Sequence, residues 1–567
     1  MPFIASVEGA FGYGRTNAVE AVVTNTIVTQ LSAFVPYSTT TGDASTTTDS
    51  SGNVYVLVSY TTPTTTSFPI YNASGTNQTA SSYSLPGTTS ASVDNICLIK
   101  YNPNGEVVWA TYFTTTSLNS QAGKVVCDSS NNIYIVGTYQ SSSAITLRDV
   151  SGTSSTPSSY TIQSSSGQSG YLVKYNSSGV VQWATYLGLA GETNTFTGVA
   201  VYSTNLYITG SRNRGGVTTG ISLQNVNGTG QTSSLIKLPG TTVGTNAILL
   251  KYDTSGIAQW ATYIPTTSAA ENISCIEIGG GGFPIIVGNY NATAPVTLKE
   301  VSGNGQQDSV WSLEQSGTTT NDISAYIIEY SGNIGNVVFA TTIKSNIAFT
   351  NRGTSVVVES SQAYYVTGQY RASGSAINLR NAISSSSTQS NSTVTLPTTP
   401  TTGSMFIVKY NRGTNLTVAW ATNTNGAGGD IGFGLAINKT SPKFLYTVGS
   451  YTSSAASTVY NASGDTQVPS SIILPSTINS STRMFIIKYS LDGIAQCATF
   501  INSFIAYYGV DIALFNNNLY VAVLCTNLNN VFVTMFNANG TTQTASVYTI
   551  TNLGTNIPAT ALVKYVG

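Results

Sequence analysis

Short apolar runs alternate with polar turns along the whole chain. The apolar residues occur mostly in runs of four to six, and Ser, Thr, Asn and Gly separate these runs. Runs of this length between turn-forming residues are typical of β-strands. No stretch of about 18 or more apolar residues occurs, so the sequence predicts no transmembrane helix. We therefore expect an all-β chain.

One two-strand segment recurs along the chain. An apolar strand that ends in Lys-Tyr is followed by a polar turn and then by a strand of the type Trp-Ala-Thr-Tyr. Clear copies begin at Leu98, Leu172 and Leu249, divergent copies begin at Ile327, Ile407 and Ile486, and a half copy, ALVKYVG, begins at Ala561. The Lys-Tyr strands are spaced by 74 to 80 residues. A fixed period of this kind indicates a repeat architecture.

Two further elements occur within each period. A second strand segment has seven copies, which begin at Asn53, Asn132, Asn205, Pro284, Ala363, Phe444 and Asn518. Between it and the Lys-Tyr strand lies an Asn-x-Ser-Gly turn flanked by alternating strands, for example IYNASG from Ile70, which is typical of a β-hairpin. Ordinary propeller blades take about 40 to 50 residues. The excess length matches the hairpin, so we expect an extra hairpin on every blade, all on one face or rim.

The repeats predict a seven-bladed β-propeller with enlarged blades over residues 31–567. The Trp-Ala-Thr-Tyr segment has six full copies, whereas the last Lys-Tyr strand has no such partner after it. We expect residues 34–37 (FVPY), aligned with residues 109–112 (WATY), to complete it. The closing blade would then be shared by residues near 31–60 and 519–567. Closure by both ends of the ring protects sheet edges and locks the propeller.

The tryptophans are predicted to be structural. One repeat position holds Trp109, Trp183, Trp260 and Trp420, and the other copies place Phe34, Phe339 and Cys497 there. Large aromatic side chains fill the space between packed, twisted sheets. Packing between blades therefore explains these residues better than stacking on a ligand.

Two turns carry a resemblance to a known repeat. Residues 49–56 (DSSGNVYV) and 128–135 (DSSNNIYI) fit an Asp-x-x-Gly-Asn-x-Tyr-Val pattern that accompanies the aromatic-x-Thr-Tyr strand. The chain therefore resembles the bacterial seven-bladed β-propeller repeat family, often called SBBP repeats. This resemblance implies a binding or scaffolding module and supplies no catalytic residues. More loosely, the Ser/Thr/Asn-rich sequence looks like surface or structural proteins of large DNA viruses.

The charge content argues against several classes of function. Charged residues make up 8% of the chain, compared with about 25% in ordinary soluble domains. The net charge is −1, and the 21 Lys and Arg residues are spread along the chain, so we expect no nucleic-acid interface. A surface of hydroxyls, amides and tyrosines with few charges suits packing in an assembly or an extracellular setting.

The sequence offers little catalytic chemistry. It contains no histidine, which excludes histidine-activated nucleophiles and histidine metal ligands, and it has no phosphate-binding loop of the Walker type. We predict that the chain is not an enzyme and has no cofactor and no metal site. Calcium at Asp49 or Asp128 is the alternative to a plain Asx turn, which we favour because only two repeats keep this turn.

The cysteines do not suggest a disulfide framework. Their number is odd and no C-x-x-C pair occurs; they are Cys97, Cys127, Cys275, Cys497 and Cys525. Two of them fall at repeat positions that are otherwise apolar. We therefore expect small buried hydrophobic residues.

The Lys-Tyr strands suggest one candidate binding site. Six lysines occupy equivalent positions, namely Lys100, Lys174, Lys251, Lys409, Lys488 and Lys564, and Glu329 takes the remaining position. A propeller would arrange them as a ring, which could bind a polyanion or an acidic partner. In the alternative, each lysine extends along its own blade and pairs locally.

We predict a non-enzymatic structural or surface component of a large assembly, a virion, as a capsid-associated protein or as a fibre or decoration protein, with the propeller as a rigid interaction platform. Residues 1–30 would form an N-terminal tail that contacts other proteins of the assembly together with the blade hairpins. The start of the chain lacks the features of a secretory signal, so we expect assembly in the cytoplasm and a place on the particle surface. The alternative is a displayed or secreted glycan-binding propeller, which would be extracellular.

Overall fold

The computed structural model describes most of the chain. The described residues are 26–36, 44–63, 65–90, 93–117, 120–188, 191–213, 220–240, 245–265, 272–317, 322–344, 351–360, 362–399, 402–438, 440–477, 482–502, 511–526, 533–550 and 558–566. The predicted tail therefore lies outside the described residues up to residue 25. Residues 26–30 belong to the first strand, β1 (Thr26–Pro36).

The strands follow the repeat of the sequence, and we call each set of four ring strands with its hairpin a unit. The first unit contains β2 (Ser45–Thr48), β3 (Val54–Tyr60), β4 (Phe68–Ser74), β5 (Asn77–Leu85), β6 (Asn95–Tyr101) and β7 (Val107–Phe113). The second contains β8 (Gln121–Cys127), β9 (Ile133–Ser141), β10 (Ile145–Ser151), β11 (Ser154–Ile162), β12 (Ser165–Tyr175) and β13 (Val181–Leu187). The third contains β14 (Thr193–Tyr202), β15 (Asn205–Asn213), β16 (Ile221–Asn227), β17 (Gly230–Leu238), β18 (Thr245–Asp253) and β19 (Ala258–Ile264).

The remaining units have the same order of strands. The fourth contains β20 (Asn272–Gly279), β21 (Phe283–Asn291), β22 (Val296–Ser302), β23 (Gly305–Leu313), β24 (Ile323–Tyr330) and β25 (Val337–Ile343). The fifth contains β26 (Arg352–Ser360), β27 (Ala363–Tyr370), β28 (Ile377–Ile383), β29 (Thr388–Leu396), β30 (Ser404–Arg412) and β31 (Leu416–Asn425). The sixth contains β32 (Asp430–Ile437), β33 (Phe444–Tyr451), β34 (Ser457–Ser463), β35 (Thr466–Leu474), β36 (Arg483–Ser490) and β37 (Ala495–Asn502). The last contains β38 (Asp511–Phe515), β39 (Asn518–Thr526), β40 (Val533–Asn539), β41 (Thr542–Ile550), β42 (Pro558–Val566) and β1.

The units are arranged in a closed ring, which is the all-β propeller that the sequence predicts. In the first unit the strand order is β2-β3-β6-β7, all antiparallel, and the hairpin β4–β5 lies outside this sheet. The first strands of the units contact one another in sequence, from β2 through β8 and β14 to β38, and β38 contacts β2 again. These strands therefore line the axis. Among the described residues, no helix is long and apolar enough to cross a membrane.

The prediction of seven blades is wrong: the ring is built from six continuous sheets in the part of the chain that the structure describes. Four of these sheets have four strands, one has eight and one has twelve. The 12-stranded sheet contains two four-strand arrays, β32-β33-β36-β37 and β38-β39-β42-β1, because β40 pairs with both β37 and β1. Counting repeats in the sequence cannot reveal that the sheet edges of two neighbouring units are joined by hydrogen bonds.

The two ends of the described chain meet in one sheet, as the repeats indicate. β1 pairs with β42 in antiparallel register, with Phe34 opposite Ala561 and Val35 opposite Thr560. The predicted alignment of Phe34 with the tryptophan position is wrong, because Lys564 lies opposite Leu31 in the way that Lys100 lies opposite Trp109. Residues 45–60, which were predicted to belong to the closing blade, form β2 and β3 instead. β2 pairs with β3, and β3 pairs with β6, so both strands belong to the sheet of the first unit.

The core consists of the apolar strand residues between neighbouring sheets. The Lys-Tyr strands β6 (NICLIKY) and β24 (residues 324–330) are buried at every position, which explains their continuous apolar runs. Trp109, Trp183 and Trp260 are between 3% and 6% exposed. The centroid of each indole lies about 6 Å from the ring centroid of a tyrosine on the second strand of the same unit, as expected for packing between sheets.

Candidate functional site

The six lysines of the predicted ring lie at junctions between units. Each lies on the third of the four ring strands of its unit, such as β6 in the first unit. Five of the ammonium groups donate to a backbone carbonyl of the next unit, in the turn that connects its third and fourth ring strands. The Nζ–O distances are 3.4 Å for Lys100 to Ser177, 3.2 Å for Lys174 to Thr254, 2.7 Å for Lys251 to Gly332, 3.3 Å for Lys409 to Leu491 and 3.4 Å for Lys564 to Pro103. The last of these bonds crosses the closure of the ring.

The same carbonyls accept a second hydrogen bond from the tryptophans. The indole Nε1 of Trp109 lies 3.2 Å from the carbonyl oxygen of Ser177, and that of Trp183 lies 3.1 Å from the carbonyl oxygen of Thr254. Trp260 and Trp420 repeat this contact with the next units. The repeated lysine and tryptophan therefore act together, and each pair fastens its unit to the turn of the following one.

Aromatic rings cover the ammonium groups. The Nζ atoms of all six lysines lie 4.0 to 5.8 Å from the centroid of a tyrosine or phenylalanine ring, as in cation–π contacts. Burial lowers the pKa of four of them below the usual value for lysine: Lys174, Lys251, Lys488 and Lys564. Polyanion binding by this ring stays a prediction, and the contacts describe what the lysines do within the fold.

Glu329 replaces the lysine in the fourth unit. Its side chain accepts hydrogen bonds from the fifth unit, whereas the lysines of other units donate to the next unit. Its carboxylate accepts hydrogen bonds from Arg412 of the fifth unit, with Nη2 at 2.6 Å and Nε at 3.0 Å, and from the hydroxyl of Tyr364 at 2.6 Å. Glu329 is 1% exposed. The guanidinium also lies 5.0 Å from the ring centroid of Phe283. A charged pair therefore takes the place of the lysine–carbonyl bond.

A polar cluster at the ring axis was not predicted from the sequence. Asp511 on β38 accepts hydrogen bonds from Ser45 Oγ and the Thr46 amide, each at 2.9 Å, and forms an ion pair of 2.6 Å with Lys124 on β8. Cys275 and Glu277 on β20 lie close enough to act on the charge of Lys124. These residues come from different units and are far apart in sequence, so no local pattern identifies them.

The axial cluster is electrostatically satisfied. Burial disfavours the ammonium of Lys124, but the charge and hydrogen bond of Asp511, together with the charge of Glu277, hold the pKa of Lys124 above its usual value. Burial raises the pKa of the Cys275 thiol, although Lys124 opposes this. A thiol with a raised pKa is a poor nucleophile near neutral pH. The cluster is therefore suited to joining β2, β8 and β38 rather than to covalent catalysis.

The Asp-x-x-Gly-Asn turns are Asx turns. Asp49 accepts hydrogen bonds from the amides of Ser51 and Asn53 at 2.9 Å through Oδ1, and from Asn53 Nδ2 and the Tyr55 hydroxyl through Oδ2. Asp128 makes the equivalent four contacts in the second unit. Among the described residues, no group of three or more His, Cys, Asp or Glu side chains could hold a metal ion.

Four of the five cysteines are free thiols, and the side chain of Cys525 lies outside the described residues. Cys97 and Cys497 are fully buried, as expected for apolar repeat positions, whereas Cys127 and Cys275 are partly exposed. Burial raises the pKa of Cys127 and Cys497 to about 12. Such thiols remain protonated near neutral pH.

The hairpins form an outer belt around the ring, and in the described residues five of them are held on two sides. The asparagine of the Asn-x-Ser-Gly turn caps the outer strand of its own unit; Asn72 Oδ1, for example, accepts from the amide of Val107 at 2.8 Å. On the other side, a threonine of the preceding unit donates to the hairpin backbone. Thr185 Oγ1 lies 2.6 Å from the carbonyl oxygen of Gln224, and Thr262 Oγ1 lies 2.7 Å from that of Lys299.

In at least four hairpins a repeated glutamine makes a contact with the preceding hairpin that was not predicted from the sequence. Gln467 Nε2 donates to the carbonyl of Thr395 in the preceding hairpin at 2.8 Å and to that of Ala421 in the preceding outer strand at 3.1 Å. Gln231, Gln306 and Gln543 make the same pair of contacts. The sequence does contain a pattern that identifies these glutamines, because each of them follows the glycine at its hairpin tip by three residues.

A cavity of about 320 Å³ lies at the closure of the ring. It is bounded by both ends of the described chain, by two hairpins and by the turn between β6 and β7, and its lining residues are Gln30, Ala73, Gly75, Pro103, Asn104, Tyr548 and Lys564. Most of the side chains that reach it are polar. The cavity can offer an ammonium, a phenol and amides to a polar ligand.

Comparisons with known proteins give a related viral sequence and distant structural likenesses. No family model matches the chain. A WD repeat-containing protein of Acanthamoeba polyphaga mimivirus is 27% identical over 314 residues, which cover 50% of this chain and 21% of that protein. The chain thus spans about a fifth of the length of that relative. WD repeats form propeller blades, so this similarity agrees with the fold described above.

The structural likenesses are weak. Phage phi92 endosialidase aligns with a TM-score of 0.26 and 10% identity over 95% of this chain and 69% of that one. A xylan beta-1,4-xylosidase from Bacillus halodurans aligns with a TM-score of 0.20 and 8% identity over 95% and 99% of the two chains. Neither alignment adds to what the sheet pairing already establishes about the propeller.

Proposed function

We propose that this chain is a non-enzymatic structural or surface component of a large assembly, a virion, in which the propeller is a rigid interaction platform. The observation that carries the proposal is the outer belt of hairpins. Six hairpin tips have a glycine with φ between +56° and +59° and no neighbouring atom within 4 Å of the position of a Cβ; these are Gly75, Gly152, Gly228, Gly303, Gly464 and Gly540. A side chain at these glycines would meet no neighbour, so the outer side of each tip is open, while contacts such as those of Lys237 with Asn304 and of Gln467 with Thr395 fasten the hairpins to one another.

Rigidity supports the same proposal. Neighbouring units are tied together at three levels, namely at the axis, at the junctions and at the rim, for example through Thr354 and Gly432, Trp183 and Thr254, and Gln467 and Thr395. Because the units are connected at the axis, at the junctions and at the rim, the hairpin tips keep fixed positions. Less conformational entropy is then lost when a partner binds to them. The low content of charged residues also suits close packing against neighbouring proteins.

The viral relative supports the virion as the assembly. The mimivirus protein is similar over half of this chain, and its name describes it as WD repeat-containing. The similarity covers about a fifth of that protein, so the partners of this chain and its place in a particle are part of the proposal.

The test is quantitative mass spectrometry of purified particles from the source of the sequence. We expect the chain to be recovered in constant ratio to a major capsid protein across density-gradient fractions and after high-salt washing. A soluble fraction from the same cells is the control. Recovery only in the soluble fraction would contradict a role in the particle.

A second candidate function is glycan binding, which the polar cavity at the ring closure favours. Tyr548, Asn104 and Lys564 offer the aromatic and hydrogen-bonding groups that sugar sites use. A glycan array probed with the purified chain tests this function, with Lys564→Gln as the site variant and Lys443→Gln, far from the cavity, as the control. Binding that both variants retain equally would argue against this cavity as the glycan site.

A further inference from the structure

Two neighbouring hairpins carry large exposed apolar residues where the other hairpins are mostly polar. Leu235 on β17 is 75% exposed and Val310 on β23 is 80% exposed. The equivalent positions, three residues before the last apolar residue of the hairpin, hold Ser82, Ser159, Thr393, Ser471 and Val547. The scaffold therefore does not need an apolar side chain here, since most units fold with serine or threonine.

The charges next to these residues have opposite signs. Along β17 the outward positions continue from Leu235 to Lys237, and along β23 they run from Asp308 to Val310. Both charged residues are exposed, and the side chain of Asp308, which also pairs with Lys299 in its own hairpin, is 68% exposed. The two hairpins meet where the Lys237 amide donates to the Asn304 carbonyl at 3.1 Å.

This contact sets the order of the four residues along the rim. The tip of the β22–β23 hairpin touches the end of β17, and Gln306 Nε2 donates to the Lys237 carbonyl at 2.9 Å. The row therefore reads apolar, positive, negative, apolar, and its members are Leu235, Lys237, Asp308 and Val310. We call this row the rim patch.

We propose that the rim patch is a two-fold contact between two copies of this chain. An antiparallel arrangement of two such rows places Leu235 opposite Val310 of the second copy and Lys237 opposite its Asp308. A two-fold interface uses the same surface on both subunits, so that surface has to be complementary to itself, as this pattern is. The apolar pairs at both ends lose water, and the charged pairs between them fix the register.

In this dimer the two propellers would contact each other through their outer rims. Stable interfaces bury about 1,200–2,000 Å² in total, so the neighbouring hairpin surface has to take part around the four residues. We therefore expect a reversible dimer that depends on concentration. The proposal does not rest on the virion as the location of the chain, because it concerns the isolated protein in solution.

Sedimentation equilibrium of the purified chain over a range of concentrations tests the proposal. We expect a monomer–dimer equilibrium that the double substitution Leu235→Ser with Val310→Ser weakens about tenfold or more, because four apolar side chains leave the interface. The variant should fold, because serine occupies this position in three other units. Val547→Ser is the matched control, since Val547 is 72% exposed on a hairpin whose neighbours are polar at this position.

Charge reversal checks the antiparallel register. Lys237→Asp should weaken the dimer, and adding Asp308→Lys should restore association, because the exchanged charges again face each other across the two-fold axis. A wild-type chain that stays monomeric at all concentrations would overturn the proposal. So would a dimer that Val547→Ser weakens as much as the double serine variant does.

Discussion

Arg412 forms a two-pronged hydrogen-bonded ion pair with Glu329 that joins the fifth unit to the fourth. Its Nη2 lies 2.6 Å from Oε1, and its Nε lies 3.0 Å from both carboxylate oxygens. Other junctions use a lysine and a backbone carbonyl, as Lys251 and Gly332 do. The fold therefore tolerates an exchange of donor and acceptor at a junction, provided that the buried partner remains.

Loss of the Glu329 carboxylate should destabilise the chain. Glu329→Gln leaves the guanidinium of Arg412 without its counter-charge at a buried site, and such changes cost about 3–5 kcal/mol. Because the side chain of Arg412 is 24% exposed, we expect the lower part of this range. Thermal and denaturant unfolding measure the loss. Lys443→Gln breaks a more exposed pair with Glu359 and should cost less than about 1 kcal/mol; equal losses in both variants would contradict the assigned role of the junction.

The outer belt should loosen when its glutamine is removed. Gln467→Ala leaves the carbonyls of Thr395 and Ala421 without this donor, which should cost about 1–3 kcal/mol. We expect faster hydrogen exchange in the β34–β35 hairpin while the ring strands stay protected. Gln496→Ala is the control, because Gln496 donates at 3.0 Å to the carbonyl of Ile494 in its own exposed turn. Unchanged exchange in the Gln467→Ala hairpin would show that the belt does not depend on the glutamine.

Asp430 should make the stability depend on pH. Burial raises the pKa of Asp430 to about 6, although hydrogen bonds from Thr424 and Ser457 oppose this. The folded pKa lies above the unfolded value of about 3.9. The folded state therefore binds more protons between these values, and stability falls as the pH rises from about 4 to about 6.

The substitution Asp430→Asn isolates this contribution. Compared with this variant, the natural chain should lose up to about 3 kcal/mol of unfolding free energy between pH 4 and pH 6, measured by denaturant titration at each pH. Asp465→Asn, at an exposed hairpin residue, serves as the control for removing a carboxylate elsewhere in the chain. Parallel pH profiles for the natural chain and Asp430→Asn would exclude Asp430 as the source.

The predicted polyanion ring can be tested against its structural role. The triple substitution Lys100→Gln, Lys174→Gln and Lys409→Gln removes three ring charges, whereas Lys237→Gln, Lys299→Gln and Lys443→Gln together remove three charges elsewhere. Binding at the ring predicts earlier elution from a polyanion column for the first variant only. Equal changes in elution would indicate a general effect of charge, and a lower melting temperature for the first variant alone would reflect the lost junction contacts.

The sequence by itself determined the strand content, the unit and the meeting of the first and last described strands, β1 and β42. Strands such as NICLIKY and the hairpins with an Asn-x-Ser-Gly turn follow from local alternation and turn chemistry, which depend on neighbouring residues. The repeat period then fixed which strands are equivalent. Even the structural role of Trp183 could be inferred, because a residue repeated in a scaffold position serves the scaffold.

Only the tertiary structure decided how the units join. The fusion of two arrays into the 12-stranded sheet depends on whether β40 lies within hydrogen-bonding distance of both β37 and β1. The placement of Leu31 opposite Lys564 depends on the register of strands more than 500 residues apart. The pairing of Lys124 with Asp511 depends on the curvature of the ring. Repeats carry information about one unit, whereas these contacts are properties of the closed ring.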